Sequence, residues 1–81
     1  MIVVDTGPLV AAAISSDINH RRCVDLFASL RLANERLVVP PFVVTDVCYL
    51  LARENGSKSE EAFVRSLAAG DFVIDAFTLL P

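Results

Sequence analysis

An α/β domain built on a parallel sheet is predicted by three observations. Ile2-Val3-Val4, Leu37-Val38-Val39 and Phe72-Val73-Ile74 are short apolar runs without polar alternation. Such runs suit strands buried on both faces, as in a parallel sheet. Segments with helical periodicity separate them, two in each interval, and Pro or Gly stands at the joints. The order β-α-α-β-α-α-β supplies the crossovers that parallel neighbours require.

Each element has its own signal. After Ile2-Val3-Val4, the chain turns at Asp5-Thr6-Gly7-Pro8. Pro8 fits the first helical position, with Thr6 or Gly7 near the cap, and Leu9 to Ile14 is Ala-rich and helix-prone. Ser15-Ser16-Asp17 breaks that helix. The second helix is expected to start at Asn19 as cap, because His20, Cys23, Phe27 and Leu30 recur on one helical face. Pro40-Pro41 ends the second strand, and Pro41 can open a third helix running from about Phe42 to Arg53, with Val43, Val47, Leu50 and Leu51 as its core face. Asn55-Gly56 stops it. Ser57-Lys58-Ser59-Glu60 reads as a capping box for a fourth helix that ends at Gly70.

The 81 residues amount to one small domain, and a chain of this size buries only about two-thirds of the surface it exposes when unfolded. Hydrophobic residues make up 54% and charged residues 21%, which excludes a disordered tail or a linker. This apolar content, with a bare edge on a three-stranded sheet, predicts that a partner covers part of the surface. Residues 78–81, Thr-Leu-Leu-Pro, bring no polar closure, so residues 1–81 read as the N-terminal portion of a single domain.

The net charge is −3, so the whole domain has no electrostatic attraction to nucleic acid. Arg21, Arg22, Arg31, Arg36 and Arg53 make the middle of the chain modestly basic. That suits either local phosphate contact or a solvated helix face. Cys23 and Cys48 have no CxxC spacing and no neighbouring zinc partner; they read as buried thiols of a reducing cytosol. The N-terminus is not a signal peptide, and no apolar run is long enough to span a bilayer.

Asp5 is the most informative polar residue. It ends the first strand, and ligands of open parallel sheets gather beyond the carboxyl ends of the strands. A turn or cap role explains it equally well. Asp46 stands within Phe42-Val-Val-Thr-Asp-Val-Cys-Tyr-Leu-Leu51, where a buried carboxylate needs a donor, a cation or an exit to water. It shares a helical stripe with Phe42, Tyr49 and Arg53, so a contact with Tyr49 or Arg53 is one reading. The other is a second carboxylate aimed at the cleft of Asp5, where an oxygen-only donor set suits Mg²⁺ or Mn²⁺. Thr6 and Thr45 each adjoin one of these carboxylates. Asp75 also follows a strand-like run, whereas Asp17 and Asp71 read as turn or cap residues and His20 as a satisfied core or surface histidine.

The opening Met-Ile-Val-Val-Asp-Thr-Gly-Pro-Leu-Val-Ala-Ala resembles the start of a PIN-domain protein, specifically of the VapC toxins of VapBC toxin–antitoxin pairs. Leu37-Val-Val-Pro-Pro-Phe-Val-Val-Thr-Asp-Val-Cys-Tyr-Leu-Leu is similar to the family's second block, a strand leading into a helix with an acidic residue. The resemblance implies a PIN fold and a Mg²⁺- or Mn²⁺-dependent ribonuclease toxin held by a VapB-type antitoxin. A homodimer, a C-terminal fragment of the same protein or an antitoxin helix would each cover the surplus apolar surface, and a cytoplasmic location is expected. The resemblance also implies Asp5 as a metal-site aspartate, Thr6 as the hydroxyl beside it, and Asp46 where the family has glutamate. The shorter Asp46 side chain then favours contact through water. The family's further acidic residues have no counterpart here, and Asp75 matches none of them, so weak or no activity is expected of these 81 residues alone.

Two other readings compete. Asp5-Thr6-Gly7 also matches the signature of retropepsin-like aspartic proteases, in which two copies share a proton in a β-rich dimer. A non-catalytic PIN scaffold that only binds or dimerises accounts for the missing acids.

Overall fold

The structure, a computed structural model, describes residues 1–75. Its elements are β1 (Ile2–Val3), α1 (Thr6–Ala13), α2 (His20–Leu32), β2 (Leu37–Val39), α3 (Pro41–Asn55), α4 (Ser57–Ala68) and β3 (Val73–Ile74). The expected order holds. The sheet runs β1-β2-β3 with both pairings parallel, in the registers Ile2↔Leu37, Val3↔Val38, Val38↔Val73 and Val39↔Ile74. The central strand β2 is buried at all three positions, which is why its sequence shows no alternation. On the flanking strands, Val3 and Ile74 are half exposed. Residues 78–81, on which the truncation reading rests, lie outside the described residues.

Each crossover between parallel strands uses two helices. α1 packs on α2 and on α3, and α3 packs on α4, so α1 and α3 form the inner pair of the helical layer. Leu37 and Val39 join Leu9, Phe27, Val47 and Leu51 in one core. Phe72 docks the start of β3 onto α2: its ring meets Phe27 edge-on at 5.8 Å, and the Arg31 guanidinium lies 5.6 Å from its centre. Arg31 also pairs with Asp71 at 3.8 Å.

Two helix starts differ from the sequence reading. α1 begins at Thr6, and its cap is Asp5, which holds extended backbone and accepts the Thr6 N–H at 2.7 Å. Pro8 is then the third helical residue, and it fits because first-turn N–H groups have no acceptor within the helix. α4 is capped by Gly56 rather than Ser57, and no side chain caps it. The turn from α3 is so tight that Gly56 ends one helix and starts the next, at φ 87° and ψ 170°, a conformation reserved for glycine. Ser57 is already inside the helix, and Asn55 Nδ2 instead donates to Ser59 Oγ at 2.6 Å across the joint. Pro41 opens α3, and Asn19 precedes α2 as expected, without a side-chain cap bond.

The aspartic-protease reading fails on this fold. Asp5-Thr6-Gly7 stands at a strand-to-helix junction of an α/β domain, where the protease signature needs a β-loop in a β-rich dimer.

Candidate active site

All three strands point the same way, so their carboxyl ends share one edge of the sheet. The Val4 N–H donates to the Val38 carbonyl at 2.8 Å, which brings Asp5, one residue later, beside Pro40 at the end of β2. α1 and α3 both leave the sheet from this edge. Asp5 is exposed. One of its oxygens accepts the Thr6 N–H, and the other has no protein partner among the described residues. The cap and ligand readings of Asp5 are therefore compatible: half of the carboxylate ties down the turn and half stays open to solvent.

Of the outcomes open to Asp46, a donor, a cation or an exit to water, the structure shows the last. Asp46 is exposed, not buried. α3 turns Val43, Val47 and Leu51 into the core, and Phe42, Asp46, Tyr49 and Arg53 form its solvent stripe. The cost of burying a carboxylate, which singled it out in the sequence, is not incurred. Neither does it pair with Arg53, whose Nε instead lies 3.6 Å from Glu54 Oε1.

The orientation of α3 relative to α1 follows from a groove lined by Val10, Ile14, Ser16 and Asp17 on one side and Leu50 and Glu54 on the other. Val10 and Ile14 are one turn apart, as are Leu50 and Glu54. One turn back along each helix stand Thr6 and Asp46. Asp46 therefore lies on the flank of α3 turned toward the start of α1, where Asp5 is the cap. Thr6 is half buried there. Thr45 Oγ1 donates to the Pro41 carbonyl at 3.3 Å, so its hydroxyl serves its own helix.

The Asp75 N–H donates to the Val39 carbonyl at 3.3 Å, so Asp75 stands at the same edge beyond β3. With β2 between them, its backbone is two strand spacings from Asp5, about 10 Å. Asp17 accepts the Asn19 N–H at 2.7 Å, and His20 Nδ1 lies 2.9 Å from the Ala11 carbonyl, both structural roles as expected. Arg21 pairs with Asp25 on the outside of α2, which makes the basic stretch there a solvated face. Both cysteines are free thiols; partial burial, then the Glu60 carboxylate, push the Cys48 thiol up.

Asp5 and Asp46 offer hard oxygen donors of the kind that Mg²⁺ and Mn²⁺ take. Two carboxylates fit such an ion in kind, since Mg²⁺ keeps several waters and takes further oxygens from substrate phosphates. Among the described residues no group of three His, Cys, Asp or Glu side chains is placed to hold a metal. The sequence placed Phe42 and Tyr49 on the Asp46 stripe, Tyr49 only as a contact of that carboxylate and Phe42 without a role. They are 69% and 61% exposed on either side of Asp46, and their spacing of four and three residues from it was the available signal.

A second groove, of about 420 Å³, lies away from this edge between α1, α2 and α4. Leu9, Ala12, Phe27 and Phe63 line it, with Arg31 and Lys58 among its walls. Among the described residues, no helix is long and apolar enough to cross a membrane.

The PIN domain family model matches residues 2–79 of the chain. No curated protein matches it.

Proposed function

The chain belongs to the PIN domain family, and from that premise we propose that it is a Mg²⁺- or Mn²⁺-dependent endoribonuclease, the toxin of a cytoplasmic VapBC-type pair. PIN domains are generally nucleases, which supports nuclease chemistry at the family level. The observation that carries the finer reading is the placement of Asp5. An exposed carboxylate ends the first parallel strand, with one oxygen free among the described residues, at the start of a helix, α1, that packs on the helix bearing Asp46.

In this reading Asp5 and Asp46 hold the divalent ion, Asp46 through water because its side chain is short, and the Thr6 hydroxyl positions water beside Asp5. The ion supplies Lewis acidity toward a phosphodiester oxygen and lowers the pKa of an attacking water. The fixed turn at Asp5 limits how much the donor set must reorganise. With two carboxylates among the described residues, cleavage by these 81 residues alone is expected to be slow. Single-turnover assays with excess protein on single-stranded RNA should show cleavage with Mg²⁺ or Mn²⁺ and none with a chelator. Equal cleavage in both conditions would sink the proposal.

Complete absence of activity with metal present would instead favour the non-catalytic scaffold, a reading supported by the lack of a third placed ligand among the described residues. Partner binding is proposed for the groove between α1, α2 and α4. Its apolar walls with Arg31 and Lys58 suit an acidic amphipathic helix, the form proposed for a VapB-type antitoxin. The exposed Val3 and Ile18 support a homodimer. Sedimentation at micromolar concentration should give a dimer that takes up such a helix. A monomer that leaves the helix free removes both partners.

A further inference from the structure

The solvent stripe of α3 reads Phe42, Asp46, Tyr49, Arg53, with steps of four, three and four residues. Phe42 and Tyr49 take no part in the core, which α3 serves with Val43, Val47 and Leu51. The two rings bracket the Asp46 carboxylate and stand about 10.5 Å apart along the helix axis. Arg53 ends the stripe with an exposed guanidinium whose one partner among the described residues is the adjacent, equally exposed Glu54. An exposed pair of this kind is weak and exchangeable.

We propose that Phe42 and Tyr49 are stacking posts for bases of single-stranded RNA on either side of the phosphate presented to Asp5 and Asp46, with Arg53 receiving a phosphate further along. The proposal rests on the nuclease reading of this edge and extends it to substrate form. The alternation of ring and charge is the argument for a nucleic acid over a protein. A protein covering the stripe would have to desolvate both Asp46 and Arg53, a costly burial for charges. A single strand alternates flat apolar bases with phosphates and leaves the intervening groups wet. Bases inside a duplex are already stacked on each other and cannot reach the rings, so the site should select single strands. Every base has a π-face, so selection by sequence should be slight.

Tyr49 is the one tyrosine of a chain without tryptophan, so intrinsic emission reports on that ring alone. The test titrates the 81-residue chain with a single-stranded RNA of about ten nucleotides, in chelator and at low salt. It reads absorbance-corrected tyrosine emission and the anisotropy of end-labelled RNA. Saturable quenching is expected, with affinity for a duplex of the same length at least about tenfold lower. Phe42→Leu and Tyr49→Leu should each weaken binding roughly tenfold, with unchanged circular dichroism because both rings are exposed. Absent binding, equal affinity for the duplex, or variants that bind like the parent would overturn the proposal. So would variants that convert a dimer to a monomer, which would assign the stripe to a second copy of the chain. Ring-dependent binding without cleavage on adding Mg²⁺ or Mn²⁺ would favour the non-catalytic scaffold for these 81 residues and leave the stacking surface standing.

Discussion

Replacing Asp5 by Asn should lower metal-dependent RNA cleavage by on the order of 10²–10³ while leaving the unfolding midpoint in place. The two effects separate because Asp5 has two jobs on two oxygens. As a cap it accepts the Thr6 N–H at 2.7 Å, and Asn caps a helix about as well as Asp. As a cation ligand it contributes a full negative charge, which the amide lacks. Asp5→Ala loses both jobs and should cost about 1 kcal/mol of stability as well. Asp46→Asn should cut cleavage by roughly tenfold, the loss typical of a group that acts on a metal site through an intermediary. Single-turnover rates and urea melts on the same preparations decide the matter. An Asp5→Asn protein as active as its parent would place the site elsewhere. An unfolded one would show that the carboxylate serves mainly to tie the strand to the helix.

The sheet was legible because β2 has neighbours on both sides and no freedom to alternate: Leu37, Val38 and Val39 are all buried. The helical faces followed from periodicity, and Cys23 and Phe27 are buried as that stripe requires. Helix starts were harder. Local chemistry offered several caps in a row, and tertiary geometry chose among them. Asp5 won over Thr6 and Gly7 because its extended backbone continues the strand. Gly56 displaced Ser57 because the α3–α4 joint demands a backbone that only glycine takes.

The site was legible by position and not by energy. Asp5 was found from the end of a strand, which topology fixes. Asp46 was found from the expected cost of burying a carboxylate among apolar neighbours, and that cost is absent because Asp46 is exposed. An apolar run of this length hides a solvent face whenever its exposed members are aromatic, as Phe42 and Tyr49 are here. Composition could not distinguish such rings from core, whereas their spacing relative to Val43, Val47 and Leu51 could.

Leu51→Ala should be a strongly damaging truncation in the helical layer. Leu51 is the largest of the fully buried side chains among the described residues, and it lies in the core with Val39, Val47 and Phe63. Removing a buried leucine to alanine costs about 2–5 kcal/mol, the transfer of the lost carbons plus the cavity they leave. A domain of this length has roughly 4–12 kcal/mol of stability in all. The variant should therefore lose at least about a sixth of its stability, and where the total is about 4 kcal/mol it should not fold alone. Leu32→Ala is the matched control. Leu32 is 89% exposed at the end of α2, so the same truncation there should shift stability by no more than about 0.5 kcal/mol. Urea titrations of the three proteins would compare the two sites under one slope, since exposed area on unfolding barely changes. A Leu51→Ala protein within about 1 kcal/mol of its parent, well below the range for a buried leucine, would mean that α3 does not seat on the sheet through this residue. The placement of Asp46 relative to Asp5 depends on that seating, because the turn that buries Leu51 and Val47 is the turn that sets the Asp46 flank toward α1.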